Sequence, residues 1–205
     1  MLKAVGMPGS RLGRVTWMLE EIGEPYEIVP CKPHDETIKA LNPSGKMPAL
    51  IDGDFVLVDS GAIVGYLADK YAPTILSAPS GTRERAMIDS FVQFAQSELE
   101  SGPWHKAQNR FVLPEHLRRD VDDLVAYEFG TACHALEARL GDRSYAVDER
   151  FTIADLMLGH CAAWARMARL EISSPALNAY FDSILDRPAL ARARAREAEA
   201  KAAAG

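Results

Sequence analysis

No apolar run in the 205 residues approaches the roughly 18 that a membrane span requires, so a membrane partner is not expected. No long basic run is present and the formal net charge is −6, which makes nucleic acid a poor partner. The segment MLKAVGMPGSRLGR lacks the long apolar core of a secretory signal. Cysteine is scarce. Cys31, Cys133 and Cys161 are far apart and form no Cys-x-x-Cys pair. Neither a disulfide framework nor a zinc site is expected, and the three read as small apolar filler in a reducing, cytoplasmic setting. The histidines form no zinc-like cluster with them, so no metal is expected. A Gly-rich nucleotide loop and internal repeats are also missing.

What is present is ordinary for a globular protein of one large or two small domains: 48% hydrophobic and 25% charged residues. Met1–Val5 reads as a short strand, followed by a Pro8–Ser10 turn. Val15, Met18, Leu19 and Ile22 fall on one helical face, and Gly23 stops that helix. Tyr26–Val29 reads as a second strand, with a short helix near Glu36–Leu41. Pro48–Asp52 and Phe55–Val58 are apolar runs split by Gly53-Asp54, a hairpin signal. A helix starting near Asp59-Ser60 is expected to bury Ile63, Tyr66 and Leu67. Two strands joined through a helix must be parallel, and the hairpin must be antiparallel. The expectation is a small mixed sheet with helices on its faces.

Tyr71–Thr82 changes to Ala, Pro, Ser, Thr and Gly and reads as a linker. Beyond it the pattern is helical. Met87, Ile88, Phe91, Val92, Ala95 and Leu99 form one stripe. Further helices are expected at Glu115–Leu140, from Thr152, and at Pro175–Leu185; the Ala/Arg/Glu-rich tail from Ala189 reads as a fraying helix and little more. Thr152-Ile-Ala-Asp155 has capping-box spacing, with Phe151 and Leu156 at the staple positions, which makes Asp155 a folding device. The division expected is 1–73 and 83–205.

Two segments carry chemistry. Asn42-Pro-Ser-Gly-Lys-Met-Pro-Ala-Leu50 puts Pro48 at a strand start. Asp59-Ser60 stands where the first amides of a helix are unpaired and carry partial positive charge, a place suited to a carboxylate. Ser60 adds a hydroxyl donor, and Asp59 can accept from an α-ammonium. Alone, the Pro48 segment reads equally as an ordinary strand start, and a lone Asp-Ser pair reads as a simple helix cap. Together the string LNPSGKMPALIDGDFVLVDSGAIVGYLADKY closely resembles the N-terminal domain of glutathione S-transferases. The resemblance is strong over residues 1–73 and weaker beyond, through FTIADLMLG. It implies an α/β thioredoxin-like N-terminal domain followed by an all-α helical bundle domain. It implies a cis Pro48 that turns the Met47 backbone outward to pair, strand-like, with the cysteinyl unit of glutathione. Asp59 and Ser60 would hold the γ-glutamyl end and Lys46 a carboxylate. His34 and Lys32 are candidates for the glycine end.

In this family a Tyr, Ser or Cys between the first strand and the first helix activates the thiol. Ser10 is the one hydroxyl in Gly6–Arg14, and the Ser10-Arg11 pair with Arg14 and Leu19-Glu20-Glu21 resembles bacterial serine-type, theta/zeta/beta-like members. Its other reading is a turn and N-cap serine. Lowering a thiol pKa by about 2 units requires roughly 2.7 kcal/mol. A hydrogen bond to a charged group supplies about 1.5–3 kcal/mol, and a helix N-terminus adds up to about 1 kcal/mol. Arg11 and Arg14 would strengthen the positive field, although Arg14 reads more readily as a solvated surface charge, and the amides near Arg11 and Leu12 are an alternative donor set. The absence of Cys here argues against the cysteine-type branch.

The resemblance also implies a second-substrate cleft for a small hydrophobic electrophile. Trp104, His105, Asn109, Arg110 and Phe111 are candidates, with Trp164, Arg166 and Met167 from a later helix; each reads equally as core or helix surface. Homodimerisation is implied through residues around Tyr66 and Arg83–Phe94. Glutathione, as co-substrate, is the small molecule expected. The functions left open are a glutathione transferase, a glutathione-dependent lyase, isomerase or peroxidase, and a non-catalytic ligand-binding or interaction protein.

Overall fold

The structure is a computed structural model in which residues 1–203 are described. The chain forms two compact units: Met1–Pro79 together with the segment from Asp186 onward, and Ser80–Leu185.

The first unit runs β1 (Leu2–Gly6), α1 (Leu12–Ile22), β2 (Tyr26–Pro30), α2 (Glu36–Lys39), β3 (Ala49–Asp52), β4 (Phe55–Val58) and α3 (Ser60–Tyr71). The sheet order is β2-β1-β3-β4. β1 and β2 are parallel, and β3 is antiparallel to both β1 and β4, as expected for a helical crossover and a hairpin. α1 buries Val15, Met18 and Leu19 completely, at about 1.5–3 kcal/mol for each such side chain. It ends at Gly23, whose φ of 74° is the left-handed conformation glycine adopts without penalty. In α3, Ile63 and Leu67 are buried as expected, but Tyr66 is only half-buried because its hydroxyl reaches Asp52 Oδ2 at 2.7 Å.

The tail departs from expectation. Pro188–Ala203 is a full helix, α9, packed on α1 and β2. It therefore belongs to the first unit, whereas the sequence division gave all of 83–205 to the helical half. Its buried face is Ala189, Leu190 and Ala193, so the stripe is mostly alanine and does not stand out in sequence. Arginines fasten it. Arg187 Nε and Nη2 grip the Glu21 carboxylate at 2.6 and 2.7 Å. Arg192 and Arg196 both donate to Glu20, and the Arg196 guanidinium lies 3.7 Å from the Tyr26 ring centroid. Burial alone would raise the Glu20 carboxyl. The hydrogen bonds from Arg192, Tyr26 and Arg196 reverse this and hold it below its ordinary value.

The second unit contains α4 (Arg83–Phe94), α5 (Ser101–Ala107), α6 (Asp122–Leu140), α7 (Ile153–Met167) and α8 (Pro175–Leu185). π-helical turns at Ala95–Leu99 and Gln108–Val112 flank α5, which the sequence reading missed. α5 packs on α6 at Gly102, where a Cβ would lie 3.0 Å from Phe129 Cβ. Met87 leaves the expected stripe at 43% exposure, while Ile88, Phe91, Val92, Ala95 and Leu99 stay buried. α6 starts seven residues later than the expected Glu115, at Asp122, because a short 3-10 turn and an extended stretch precede it. Asn109 holds that stretch, accepting from the Arg119 amide and donating to the Arg119 carbonyl. α7 starts with the expected capping box. Asp155 is fully buried and accepts from the Ala146 amide at 2.7 Å, the Thr152 amide at 2.8 Å and the Tyr180 hydroxyl at 2.8 Å.

Candidate functional site

Of the two segments singled out in the sequence, the one around Met47 meets the β1–α1 turn and the one at Asp59-Ser60 meets the first turn of α1, all within the first unit. The turn comes first. The Ser10 amide donates to the Met7 carbonyl at 3.2 Å, Pro8 stands at the second position and Gly9 at the third with φ 80°. That is type II turn chemistry, with Pro setting one dihedral and Gly taking the positive φ. The Ser10 hydroxyl donates to the Met7 carbonyl at 2.6 Å and accepts from the Leu12 amide at 3.2 Å. Ser10 thus closes the turn and caps the start of α1. Arg11 follows as the helix N-cap residue, its backbone already helical.

The Met47–Pro48 peptide bond is cis. Among the described residues the Met47 amide and carbonyl have no hydrogen-bond partner. The Met47 side chain reaches the turn instead: its sulfur accepts from the Met7 amide at 3.1 Å. A Cβ on Gly6 would lie 3.4 Å from Met47 Cβ and 3.5 Å from Leu12 Cβ, so β1, this segment and α1 pack closely here. The loop leading to Met47 is held by Asn42, whose amide donates to the Lys46 carbonyl at 2.8 Å and whose oxygen accepts from Ser44. His34 packs on the same loop. Its amide donates to the Gly45 carbonyl at 2.9 Å, and a Cβ on Gly45 would lie only 3.1 Å from His34 Cα. Lys32, His34 and Lys46 are exposed, and among the described residues the Lys46 ammonium has no acidic partner.

At the start of α3, Asp59 has φ 68° and ψ 112°. A non-glycine residue held there costs about 1–3 kcal/mol. Its side chain makes no capping bond, is exposed, and among the described residues has no ion-pair partner. Ser60 is 4% exposed and accepts from Arg14 Nη1 at 3.1 Å. Arg14 is wholly buried, which corrects the expectation of a solvated charge. Its position on α1 turns it toward α3 rather than outward, so it links the two helix starts.

This arrangement offers an unpaired acid, a hydroxyl fixed by a cation, an unpaired backbone amide and carbonyl, and exposed cations beyond. Residues 5–75 match the family model for the glutathione S-transferase N-terminal domain, and residues 114–188 match the model for the C-terminal domain. Glutathione S-transferase 3 of Zea mays is 31% identical over 206 residues, spanning 92% of this chain and 90% of that protein. The chain belongs to the glutathione S-transferase family. A crystal structure of a glutathione transferase from Methylococcus capsulatus is similar at a TM-score of 0.83 with 25% identity, covering 97% of this chain and 99% of that one. The glutathione transferase URE2P6 of Phanerochaete chrysosporium, solved in complex with oxidized glutathione, is similar at 0.85 with 26% identity, covering 97% of each chain. The thioredoxin-like domain and all-α bundle are those of this transferase fold.

The residues named for a second substrate all lie in the second unit. Trp104 and Trp164 form a tilted ring pair with centroids 6.3 Å apart. His105 Nδ1 lies 2.9 Å from Glu128 Oε2, which also accepts from the Ser101 hydroxyl. Arg110 is exposed on the π-helical turn, its guanidinium 5.0 Å from the Phe111 ring centroid. Arg166 turns away from this group. It pairs with Asp182 at 2.7 Å and donates to Asn178 at 3.2 Å, so its role is to join α7 to α8. Met167 is 68% exposed. Sequence reading missed Met7 and Glu197, and named Arg14 but placed it in solvent. Met7 acts through its backbone, Arg14 is concealed by the rule that arginine is solvated, and Glu197 is 188 residues from the glycine it holds.

Proposed function

We propose that this chain is a serine-type glutathione transferase that binds glutathione along Met47, Pro48, Asp59 and Ser60 and activates its thiol with Ser10. The unpaired, strained Asp59 beside the cation-fixed Ser60 carries this reading. A serine hydroxyl has one proton and two acceptor sites. Arg14 occupies an acceptor site of Ser60, which leaves the Ser60 proton for the α-carboxylate of a γ-glutamyl group. Asp59 accepts from its α-ammonium. Strain at Asp59 points the same way, because residues held off their preferred dihedrals concentrate at ligand sites. Lys46, with His34, would take the glycine carboxylate.

Ser10 must change partner to act. Its proton sits on the Met7 carbonyl. A hydrogen bond to an ionised group is about twice as strong as one between neutral groups, so a thiolate outcompetes the carbonyl. The positive end of α1 adds to the same effect, with Arg11 at its start. The thiol proton leaves to solvent. The thiolate then attacks an electrophilic carbon, a C–S bond forms and the leaving group departs with its electron pair. Trp104, His105, Arg110 and Trp164 are proposed to contact the electrophile, a small hydrophobic molecule. A homodimer belongs to the same proposal.

A non-catalytic glutathione-binding protein is the second reading, favoured by the commitment of the Ser10 hydroxyl within its own turn. Calorimetry with glutathione on wild type and Asp59→Asn tests the common part. Micromolar-to-millimolar binding by wild type, weakened in Asp59→Asn, is the expected result. No binding by wild type at millimolar glutathione removes both readings.

A further inference from the structure

Glu197 on α9 is only 8% exposed, and both of its carboxylate oxygens are in use. Oε2 accepts from the Gly9 amide at 2.8 Å, and Oε1 accepts from the Thr16 hydroxyl at 2.6 Å. The Gly9 amide belongs to the third residue of the turn that presents Ser10. In a type II turn that amide takes no part in the closing bond, which runs between the first and fourth residues. Thr16 lies in α1, on the helix that Ser10 caps. One carboxylate thus ties the turn to its own helix. The element that carries it does not drift, because Arg187, Arg192 and Arg196 fasten α9 to Glu20 and Glu21 on α1.

We infer that Glu197 is a positioning residue for Ser10, so that the C-terminal helix sets the geometry of thiol activation. The inference rests on the transferase reading. Its logic is reach rather than charge. A carboxylate near a thiolate disfavours the charged form, so charge alone would make Glu197 harmful to activation. Holding the turn is the one contribution that favours it, because small displacements of an activating group cost large factors in rate.

Three substitutions separate the possibilities. Glu197→Gln keeps the reach: its oxygen accepts from Gly9 and its NH2 donates to Thr16. The Thr16 hydroxyl then turns to the Leu12 or Gly13 carbonyl, 3.4 and 3.3 Å away. Glu197→Asp keeps the charge and loses a methylene, so it cannot span both partners. Glu197→Ala removes both. Three quantities are read: amide hydrogen exchange over Gly9–Leu12 without ligand, the pKa of bound glutathione's thiol by ultraviolet titration, and kcat and KM with 1-chloro-2,4-dinitrobenzene.

The expected result is faster exchange in Ala and Asp, a thiol pKa raised by about one unit, and kcat lowered about tenfold, with KM for glutathione little changed. Gln stays near wild type. If Ala fails to fold, the Asp and Gln pair carries the test. Unchanged thiol pKa and kcat in Asp, even with a lower melting temperature, would overturn the inference and leave Glu197 as a packing anchor. Impairment of Gln equal to that of Asp would also overturn it. A wild type that binds no glutathione removes the transferase reading itself, a separate result from any of these.

Discussion

The starts of α7 and α3 both pair a hydroxyl with an acid, yet they are built for opposite ends. At α7 the acid turns inward. Asp155 is fully buried and accepts from two amides and from the hydroxyls of Thr152 and Tyr180, all in its own chain. At α3 the acid turns outward. Asp59 is exposed, makes no capping bond and holds an unfavourable φ of 68°. A cap that satisfies itself stabilises the fold. A cap that stays strained and unsatisfied does not stabilise the fold, and in the proposed reading it is open to the γ-glutamyl end of glutathione. The start of α1 lies between them: Ser10 is satisfied within its turn, but by a neutral carbonyl that a thiolate can displace.

The largest effect should come from breaking the self-satisfied cap. Asp155→Ala removes a buried acceptor from several donors and should cost about 3 kcal/mol, read by urea unfolding. Glutathione affinity of the folded variant should not change. The reverse pattern is expected at α3. Asp59→Gly removes the partner of an ammonium and should weaken glutathione binding by about 10- to 100-fold, read by calorimetry. The same change should raise stability by about 1 kcal/mol, since glycine relieves the strained φ. If it lowers stability instead, Asp59 is an ordinary cap and the contrast with Asp155 fails.

Arg14→Met should weaken glutathione binding about tenfold, because Ser60 loses the donor that fixes its hydroxyl. The expected sign at Arg14→Lys is the same, since an ammonium on a flexible stem does not reproduce the guanidinium geometry. The smallest effect concerns the chain's own thiols. Burial first, and Glu137 second, push Cys133 up to about 11, and burial with Asp35 raises Cys31. The Cys133 thiol therefore stays protonated as pH rises through 8 to 9, where an ordinary thiol ionises, and Cys31 ionises at a higher pH than an ordinary thiol. Labelling of native protein with a disulfide reagent at pH 8 should be at least about 100-fold slower than after unfolding. Fast labelling would mean that a protein thiol rivals the thiol of glutathione.

Much of this was legible in the sequence, where local rules apply. The parallel pair and the hairpin followed from one helical crossover and from Gly53-Asp54. The Thr152–Asp155 box announced itself by spacing, and Pro48 and Asp59-Ser60 by their place in one resembling string. What stayed hidden depends on distant partners. Arg14 reads as solvated until α3 is set against it. Glu197 sits in an alanine-rich helix whose buried face carries few large residues. α5 contains Gly102 and Pro103, poor helix formers that are tolerated here in the first turn, with Gly102 close against Phe129.

The most direct test of thiol activation is the ultraviolet titration of glutathione bound to wild type and to Ser10→Ala. The account predicts that both bind, that wild type holds the thiolate near neutral pH, and that the variant shifts ionisation up by about 2 units toward that of free glutathione. Equal titration curves would contradict it, and would assign thiolate stabilisation to the backbone at the start of α1 rather than to Ser10.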